Sequence, residues 1–364
     1  MKILWLAPVL NHYKARFLNH LANVEEVNLT VLSGSGRTGS GDKELQDNWG
    51  FETVRVAVPK SKFGLSNKVR KTLKSNFENH DWVLIPAEKK NLLMFLYAMF
   101  LRLRHKRTKL FSYNHQFTKP KSGNVKGIDL YITRFFFKHL DRVIFYTEDS
   151  CEKAIRAKLI IPEKAFWANN TIDTQEVDKF YNFTLPPEKP ITILFIGRLI
   201  PSKRIKDVIS YYKALKTKFQ HLKLDIIGDG PEQSVVKNAI HKDINIKWHG
   251  TLVDESKIAP IMKNTSLVFI AGLSGLSINH AFAYGRPYFT LKADKHGPEI
   301  SYLNRGENGY ILEDRFEEDV KLLTSIIEDR EKLVLLCNNA NKKGKELSVQ
   351  KWVNQLKSSL LHES

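Results

Sequence analysis

The sequence predicts an α/β protein of two doubly wound domains, each built on a parallel sheet, which face each other across a cleft. Short β-rich runs alternate with helical patterns along most of the chain. Several of these runs are continuously apolar, as expected of strands that helices cover on both faces. The chain of 364 residues is too long for one ordinary core and long enough for two.

Seven β-rich runs precede a proline-rich break at 181–190 (YNFTLPPEKP), and six follow it. The helical stretches between most of them favour right-handed βαβ units. We therefore place the first domain at 1–183, joined by a C-terminal helix at 346–364, and the second at 184–345. The predicted strands are 2–8, 28–34, 53–58, 82–87, 109–115, 142–147, 165–170, 191–197, 223–228, 244–250, 266–272, 286–292 and 309–314.

Positive charge is concentrated in the first domain. Residues 51–142 contain 20 Lys and Arg against 6 Asp and Glu, which leaves +14 of the total +18. Residues 60–77 read as a basic amphipathic helix, and 91–109 as an apolar helix that ends in basic residues. Both suit an anionic membrane surface, although ordinary packing helices are the alternative. A protein that binds nucleic acid would use the same charge.

The two cysteines and the N-terminus indicate the compartment. Cys151 and Cys337 lie far apart in the sequence, so we assign no disulfide. The opening apolar run is followed by basic residues without a small-residue cleavage site, unlike a secretory signal. We expect a cytoplasmic protein, located at the inner face of the cell membrane if the basic helices bind lipid.

The second domain begins with FIGRLIPSKRIKD, in which a strand ends at Gly197. Arg198 and Lys203 flank the loop between this strand and the next helix. Two cations near a helix start suit a diphosphate, because charge-assisted hydrogen bonds are strong and arginine binds two phosphate oxygens at once.

A second loop, AGLSGLSINHAFAYGRP at 271–287, leads from a strand into a helix that starts near Ser277. The free N–H groups at a helix start bind anions, and Gly275 lets a phosphate approach them without a Cβ in the way. Ser277 is a candidate cap or phosphate donor. His280 lies one turn further on, as a ligand contact or as a histidine satisfied within the helix packing.

Two more strand ends carry loop glycines, in GDGP at 228–231 and in WHGTL at 248–252. Since the carboxyl ends of parallel strands share one edge of the sheet, the four glycine loops are expected at the edge where doubly wound sheets bind ligands. Their agreement on one edge is stronger evidence for a ligand site than any single loop.

These motifs, followed by HGPEISYLNRGENGY, resemble the nucleotide-sugar-binding domain of family-4 glycosyltransferases, which have two Rossmann-like domains in the GT-B fold. The resemblance covers 191–314 and extends more loosely into RVIFYTEDSCEKAI and AFWANNTID. It implies that Arg198 and Lys203 hold the donor diphosphate as catalytic groups, with strand-end Gly197 beside them. It also implies donor contacts from Gly230, His249, Leu252, Gly275, Leu276 and Ser277.

The chain departs from this family at the glutamate pair that commonly flanks the loop. One glutamate usually touches the donor sugar and the other the ribose; here those positions are Gly272 and His280. The chain resembles the subgroup with Gly-x-x-Gly-Leu-Ser-x-x-x-His, although Ala271 replaces its usual proline. A histidine can still hydrogen-bond a ribose hydroxyl. Sugar recognition then passes to backbone groups or to Glu299.

The resemblance implies transfer with retention of anomeric configuration, in the synthesis of cell-surface polysaccharide. The sequence offers no carboxylate pair for a double displacement, so we expect front-face attack. Without an Asp-x-Asp motif, we expect no metal and no cofactor beyond the donor. The partners would be a nucleotide sugar, a glycan or lipid-linked acceptor and an anionic membrane, and not nucleic acid.

The acceptor side belongs to the first domain. Candidate acceptor contacts follow the first strand, at Asn11, His12, Tyr13 and Arg16, and His115 is a candidate catalytic group near the reacting hydroxyl. Three alternatives stay open at this point: an epimerase or phosphorylase on the same fold, a basic binding protein, and a transferase-like domain without activity.

Overall fold

The computed structural model describes residues 1–8, 10–34, 48–59, 62–114 and 127–362. The described residues form two compact units. Those up to Asn170 and from Val349 onward make up the first unit, and those from Thr171 to Ser348 make up the second. The sequence analysis placed the same transitions at 183/184 and 345/346.

The first unit contains a sheet of seven parallel strands in the order β3-β2-β1-β4-β5-β6-β7. In the register, Ile3 pairs with Leu29 on one side of β1, and Leu4 pairs with Val83 on the other. The elements are β1 (Lys2–Ala7), α1 (His12–Ala22), β2 (Asn28–Ser33), β3 (Glu52–Arg55), α2 (Asn67–Phe77), β4 (Trp82–Leu84), α3 (Leu92–Arg104), β5 (Lys109–Asn114), α4 (Ile128–His139), β6 (Arg142–Phe145), α5 (Glu148–Arg156) and β7 (Ala165–Trp167).

The second unit contains a sheet of six parallel strands in the order β10-β9-β8-β11-β12-β13. Its elements are α6 (Thr174–Phe180), β8 (Thr192–Ile196), α7 (Ile205–Lys216), β9 (Lys223–Ile227), α8 (Gln233–Ile240), β10 (Ile246–Trp248), α9 (Glu255–Asn264), β11 (Leu267–Ile270), α10 (Leu276–Ala283), β12 (Tyr288–Leu291), β13 (Gly309–Leu312), α11 (Phe316–Glu328) and α12 (Arg330–Glu346). Short 3₁₀ turns at Pro201–Lys203 and Pro298–Tyr302 lie beside the strand ends.

The last helix, α13 (Val349–Leu361), belongs to the first unit. It packs with α1 on one face of the seven-stranded sheet, where Trp352 contacts Phe17 and Trp5. The other face is covered by α2, α3, α4 and α5, with fully buried residues such as Phe95 and Phe136. Coverage on both faces explains why the strands read as continuous apolar runs.

Each of the thirteen predicted strands is present, and all pair in parallel. The predicted fold class is therefore confirmed: two doubly wound α/β units. In both sheets the strand order reverses beside the first strand, between β1 and β4 and between β8 and β11. Loops at such a switch point splay apart at the carboxyl ends of the strands and leave room for a ligand.

Candidate active site

The candidate site lies at the switch point of the second sheet. There β8 and β11 are neighbours, with Leu267 paired to Ile193 and Val268 to Leu194. The loops that leave their carboxyl ends are 197–204 and 271–275, the same two loops that the sequence singled out. The topology therefore brings Arg198 and Lys203 to the start of α10.

Hydrogen bonds fix the two loops to each other. The Lys203 Nζ donates to the carbonyl oxygen of Leu273 at 2.5 Å, and the Leu273 N–H donates to the carbonyl of Ser202 at 2.7 Å. A Cβ at Gly272 would overlap that same Ser202 carbonyl. Glycine is thus required here by backbone packing, and no carboxylate can project from this position unless the loops move apart.

Two cations and one carboxylate influence each other in this loop pair. Burial and, to a smaller extent, the positive charge of Arg198 lower the pKa of Lys203 to about 8, although the negative charge of Glu299 opposes the shift. Arg198 itself is half-exposed. The site therefore carries positive charge that is only partly compensated, which suits a dianionic ligand.

Gly275 lies at the N-terminal end of α10, with φ −166° and ψ −127°. A Cβ built there would meet only the Glu299 Oε2, at 3.5 Å. The packing of the protein therefore does not require glycine at this position. The helix start is open beside Gly275, and Leu276 and Ser277 follow it in the first turn.

Glu299 supplies a buried carboxylate next to this helix start. It lies in the 3₁₀ turn Pro298–Tyr302 and is 3% exposed. Its Oε2 is close to Gly297, where a Cβ would overlap it. The Gly297 N–H in turn donates to the carbonyl of Ser274 at 2.6 Å, so the turn is attached to the 271–275 loop. The predicted alternative carboxylate thus lies beside Gly275.

A network of hydroxyl groups connects the 271–275 loop to α10 and β12. The Ser277 Oγ and the Tyr288 hydroxyl are 2.8 Å apart, and the Tyr288 hydroxyl donates to the Ser274 Oγ at 3.0 Å. The Ser274 Oγ also lies 3.0 Å from the Thr290 Oγ1. Burial raises the pKa of Tyr288, so it stays a neutral hydroxyl. Sequence reasoning missed Ser274, Tyr288 and Thr290, because Ser274 lies in the loop after β11 whereas Tyr288 and Thr290 lie within β12.

His296 is a further residue that the sequence analysis missed. Its Nδ1 accepts from the Ser274 N–H at 3.1 Å, and its Nε2 donates to the Leu291 carbonyl at 3.1 Å. Burial lowers its pKa, despite the opposing effect of the Leu291 carbonyl, so the ring stays neutral and can accept. Its position three residues before Glu299 in the HGPE motif was the available signal.

His280 is buried within the second unit. Its Nε2 lies 3.2 Å from the Glu255 Oε2, and the Tyr284 hydroxyl donates to the same oxygen at 2.8 Å. Burial raises the pKa of Tyr284. The structure therefore shows a histidine that has a partner in the helix packing, and its contact with ribose stays a prediction.

The other predicted donor loops end β9 and β10. The Gly228 N–H donates to the Gly250 carbonyl at 2.7 Å, and a Cβ at Gly230 would overlap the Leu199 carbonyl. The His249 Nε2 lies 2.7 Å from the Asp225 Oδ1. Leu252 is half-buried just before α9. These loops share the edge of the sheet with the site, and their contact with a nucleobase stays a prediction.

A groove of about 600 Å³ lies beside the edge strand β10. Its lining includes His249, Asp225 and Lys223, together with the last turn of α9. Because β9 and β8 separate β10 from β11 in the sheet, this groove is distinct from the site at the loops 197–204 and 271–275. We do not assign the donor diphosphate to it.

The predicted acceptor residues lie at the switch point of the first sheet. Asn11 caps α1, and its side chain accepts from the Lys14 N–H at 3.1 Å. His12 is buried with its ring against Tyr13, and Arg16 is half-buried one turn later. Their contact with an acceptor stays a prediction. His115 lies outside the described residues.

Within the described part of the chain, no group of three or more His, Cys, Asp or Glu side chains is placed to hold a metal ion. The described Cys151 and Cys337 are both buried and unbonded to each other, and burial raises the pKa of both thiols.

Residues 177–346 match the family model described as glycosyl transferases group 1. The match begins within α6 and covers all six strands of the second sheet and α12. The second unit is thus similar to group 1 glycosyl transferases over the region that carries the strand-end motifs. A search of curated proteins finds no match in sequence.

Solved structures of GT-B glycosyltransferases share the fold of the whole chain. HepE from Anabaena, solved with UDP, has a TM-score of 0.72 at 18% identity, with 99% of each chain covered. The lipopolysaccharide outer core galactosyltransferase WaaB has a TM-score of 0.70 at 15% identity, with 99% of each covered. A glycosyltransferase from Rickettsia africae has a TM-score of 0.71 at 13% identity, with 100% of this chain and 99% of that chain covered.

Proposed function

We propose that this protein is a glycosyltransferase that uses a nucleotide diphosphate sugar as donor. The observation that carries the proposal is the attachment of the loop with Arg198 and Lys203 to the 271–275 loop, which leads into the open start of α10 beside Gly275. This arrangement offers two cations and free helix N–H groups to a diphosphate, in a domain that matches the group 1 model. The HepE structure with bound UDP supports the choice of ligand class.

The reaction we propose is transfer with retention by front-face attack. The acceptor oxygen bonds to the anomeric carbon while the bond to the diphosphate oxygen breaks, and the acceptor proton passes to that leaving oxygen. Arg198, Lys203 and the N–H groups at the start of α10 stabilise the negative charge that develops on the diphosphate. Because these groups supply the positive charge, the proposal needs no metal ion, and we expect EDTA to leave turnover unchanged.

In this proposal, Glu299 recognises the donor sugar. Its carboxylate lies beside Gly275 and can accept hydrogen bonds from donor-sugar hydroxyls. Gly272 has no room for the glutamate that relatives commonly carry, so the carboxylate comes from the next strand-end segment. Ser277 and His280 would face the ribose.

The acceptor we propose is a glycan or a lipid-linked glycan in cell-surface polysaccharide synthesis, held by the first unit at Asn11, His12, Tyr13 and Arg16. The WaaB neighbour acts on the lipopolysaccharide outer core, and HepE has also been solved with UDP and glucose. We propose a location at the cytoplasmic face of the membrane, where the basic first unit would contact anionic lipid.

The test is donor binding by the purified protein. In thermal unfolding with UDP, GDP, ADP and their sugars, we expect one nucleotide class to stabilise the protein, by about 2.7 kcal/mol at a hundredfold excess over its Kd. Arg198→Ala with Lys203→Ala should abolish this stabilisation. The matched control, Lys206→Ala with Lys213→Ala, removes two cations from α7 and should retain it.

Unchanged donor affinity in the Arg198 and Lys203 double variant would refute the diphosphate assignment. Product analysis separates the rival activities on this fold. An epimerase consumes donor without acceptor, and a phosphorylase requires inorganic phosphate. The anomeric configuration of the product, read by NMR, tests retention.

A further inference from the structure

The outer face of α3 is apolar although it lies at the surface. Leu93, Leu96, Phe100 and Leu103 are 42%, 40%, 45% and 75% exposed, and their spacing places them on one face of the helix. The opposite face, which includes Phe95 and Ala98, is buried in the core. A helix that is apolar on both faces does not satisfy its outer face within a water-soluble unit.

Neighbouring segments extend this apolar face. Phe63 is 46% exposed, and its carbonyl accepts from the Met94 N–H in the first turn of α3. On α4, Ile128 and Tyr131 are 67% and 71% exposed. An ion pair between Lys89 and Asp129, 3.2 Å long, joins the segment before α3 to the first turn of α4. We call these seven apolar residues the α3 surface.

Cations surround the α3 surface. The exposed side chains of Arg70, Lys71 and Lys74 come from α2, and those of Arg104, Lys106 and Arg107 come from the end of α3. The guanidinium of Arg104 lies 4.6 Å from the ring centre of Phe100, and that of Arg70 lies 5.8 Å from the ring centre of Tyr97. Positive charge therefore directly adjoins the apolar side chains.

The structure also separates the roles of the two helices. The apolar residues of α2, Val69, Leu73 and Phe77, are fully buried in the core. This helix cannot present them to lipid and offers only its cations. The apolar contact must come from α3, whose buried and exposed faces are both hydrophobic.

We propose that the α3 surface inserts into the boundary between head groups and acyl chains of an anionic bilayer, while the flanking cations contact lipid phosphates. Apolar side chains beside a basic rim are the complement of such a membrane. A second copy of this chain would bring like charges together. A nucleic acid would contact the cations but leave the leucines in water.

In the described ranges, no helix is long and apolar enough to cross a membrane. The inference adds a membrane contact to the proposed function. It rests on the proposed function only for the nature of the acceptor. Contact with lipid itself depends only on the α3 surface and its cations.

The first experiment is flotation with vesicles of phosphatidylglycerol and phosphatidylcholine, compared with phosphatidylcholine alone. Leu96→Ser, Phe100→Ser and Leu103→Ser together should reduce partitioning about tenfold or more. Arg104→Gln, Lys106→Gln and Arg107→Gln together should do the same at low salt. The matched control, a triple change to serine at three other exposed positions, should bind like wild type. These positions are Ile161, Ile244 and Leu335.

The second experiment distinguishes insertion from adsorption by charge. The native cysteines are buried, so a Leu103→Cys variant can be labelled at one exposed position with an environment-sensitive fluorophore. We expect a blue shift with anionic vesicles and none with a duplex oligonucleotide. Binding without a blue shift, or unchanged flotation of the Leu96, Phe100 and Leu103 variant, would overturn the inference.

The donor-binding assay tests the proposed function separately from lipid binding by the α3 surface. The α3 surface and the nucleotide loops belong to different units, so the variants with altered α3 should keep nucleotide stabilisation. Loss of lipid binding with intact nucleotide binding would support the surface. Lipid binding without any nucleotide binding would refute the proposed function while the surface stands.

Discussion

Gly272 and Gly275 lie three residues apart in one loop and are glycines for different reasons. At Gly272 the Ser202 carbonyl occupies the place of a side chain. At Gly275 the φ of −166° lies outside the left-handed region, and the Cβ position faces open space beside Glu299. Backbone packing therefore explains the first glycine, and the proposed ligand explains the second.

This contrast predicts different phenotypes for the two alanine variants. Gly275→Ala should leave the free energy of unfolding within about 0.5 kcal/mol of wild type, because nothing in the protein is displaced. It should lower nucleotide affinity, because the methyl group enters the anion site. Gly272→Ala should destabilise the second unit by about 1–3 kcal/mol through overpacking.

Denaturant unfolding and nucleotide titration of both variants measure the two effects. Gly275→Ala with wild-type nucleotide affinity would contradict the close approach of a phosphate. Gly272→Ala with wild-type stability would contradict the close backbone packing of the loops 197–204 and 271–275.

The lowered pKa of Lys203 predicts how donor affinity depends on pH. Its pKa is lowered from 10.5 to about 8, so in the free protein it is half neutral near pH 8. A diphosphate binds the charged form, so donor affinity should fall as pH rises above about 8, by up to tenfold per pH unit. Between pH 8 and 10.5 the unfolded chain holds this proton more tightly, so the contribution of Lys203 to folding stability increases with pH.

The control for this prediction is Lys203→Arg, whose guanidinium stays charged throughout the range. Its donor affinity should be nearly independent of pH from 7.5 to about 9.5. Calorimetric titration of nucleotide at each pH provides the measurement. An equally steep decline in the arginine variant would assign the titration to another group.

At the scale of elements, the start of α7 stores backbone strain next to the site. Arg204 is left-handed, with φ 55° and ψ 47°, directly after Lys203. Its guanidinium forms two parallel hydrogen bonds with Asp314, at 2.8 and 3.0 Å, and a third with Asp207 at 2.5 Å. These contacts offset the strain of about 1–2 kcal/mol that a side chain incurs in this conformation.

The strain at Arg204 predicts that a glycine at this position offsets part of the stability lost with the Arg204–Asp314 ion pair. Asp314→Asn, which suits the left-handed φ of 63° at this position, should destabilise the second unit by about 1 kcal/mol, since the paired groups are partly exposed. Arg204→Gly should cost less, because glycine removes the strain along with the contacts. In the double variant, Asp314→Asn should add almost nothing.

A double-mutant cycle in urea measures the coupling between Arg204 and Asp314. The more exposed pair of Arg305 and Glu313, 3.8 Å apart, is the matched control and should show little coupling. Full additivity of the Arg204 and Asp314 changes would refute the account of strain.

At the scale of the whole molecule, the chain crosses twice between its two units. Its last helix, α13, completes the core of the first unit after the second unit is finished. Trp352 is 1% exposed, contacts Phe17 edge-on, and donates from its Nε1 to the Tyr113 hydroxyl at 3.1 Å. Stability of the first unit therefore depends on the end of the sequence.

We expect Trp352→Ala to destabilise the first unit by about 3–5 kcal/mol. The second unit should keep its nucleotide-dependent unfolding transition, because the substitution leaves its core intact. Calorimetry with and without nucleotide measures both transitions, and Trp352→Phe, which keeps most of the packing, should have a smaller effect. If the substitution and the nucleotide shifted one common transition, the two units would unfold as one, contrary to this expectation.

The sequence predicted the fold in detail because parallel strands covered on both faces leave a strong signal. Runs such as 191–197 and 266–272 are apolar except for one hydroxyl residue each, and each recurs as a buried strand. The loops at Arg198 and Gly275 were also identifiable, since they carry glycines and cations directly after strands. The contacts of His280 with Glu255 and of Ser274 with His296 were not, because each joins residues far apart in the sequence.

The sequence by itself determined the two parallel sheets, the position of the glycine loops and the excess of positive charge in the first unit. Only the tertiary structure decided which glycine is packed and which is open. It also decided that α2 buries its apolar face while α3 exposes its own. The physical reason is that periodicity reports which residues share a face, whereas the neighbours brought together by the fold determine whether that face meets protein or solvent.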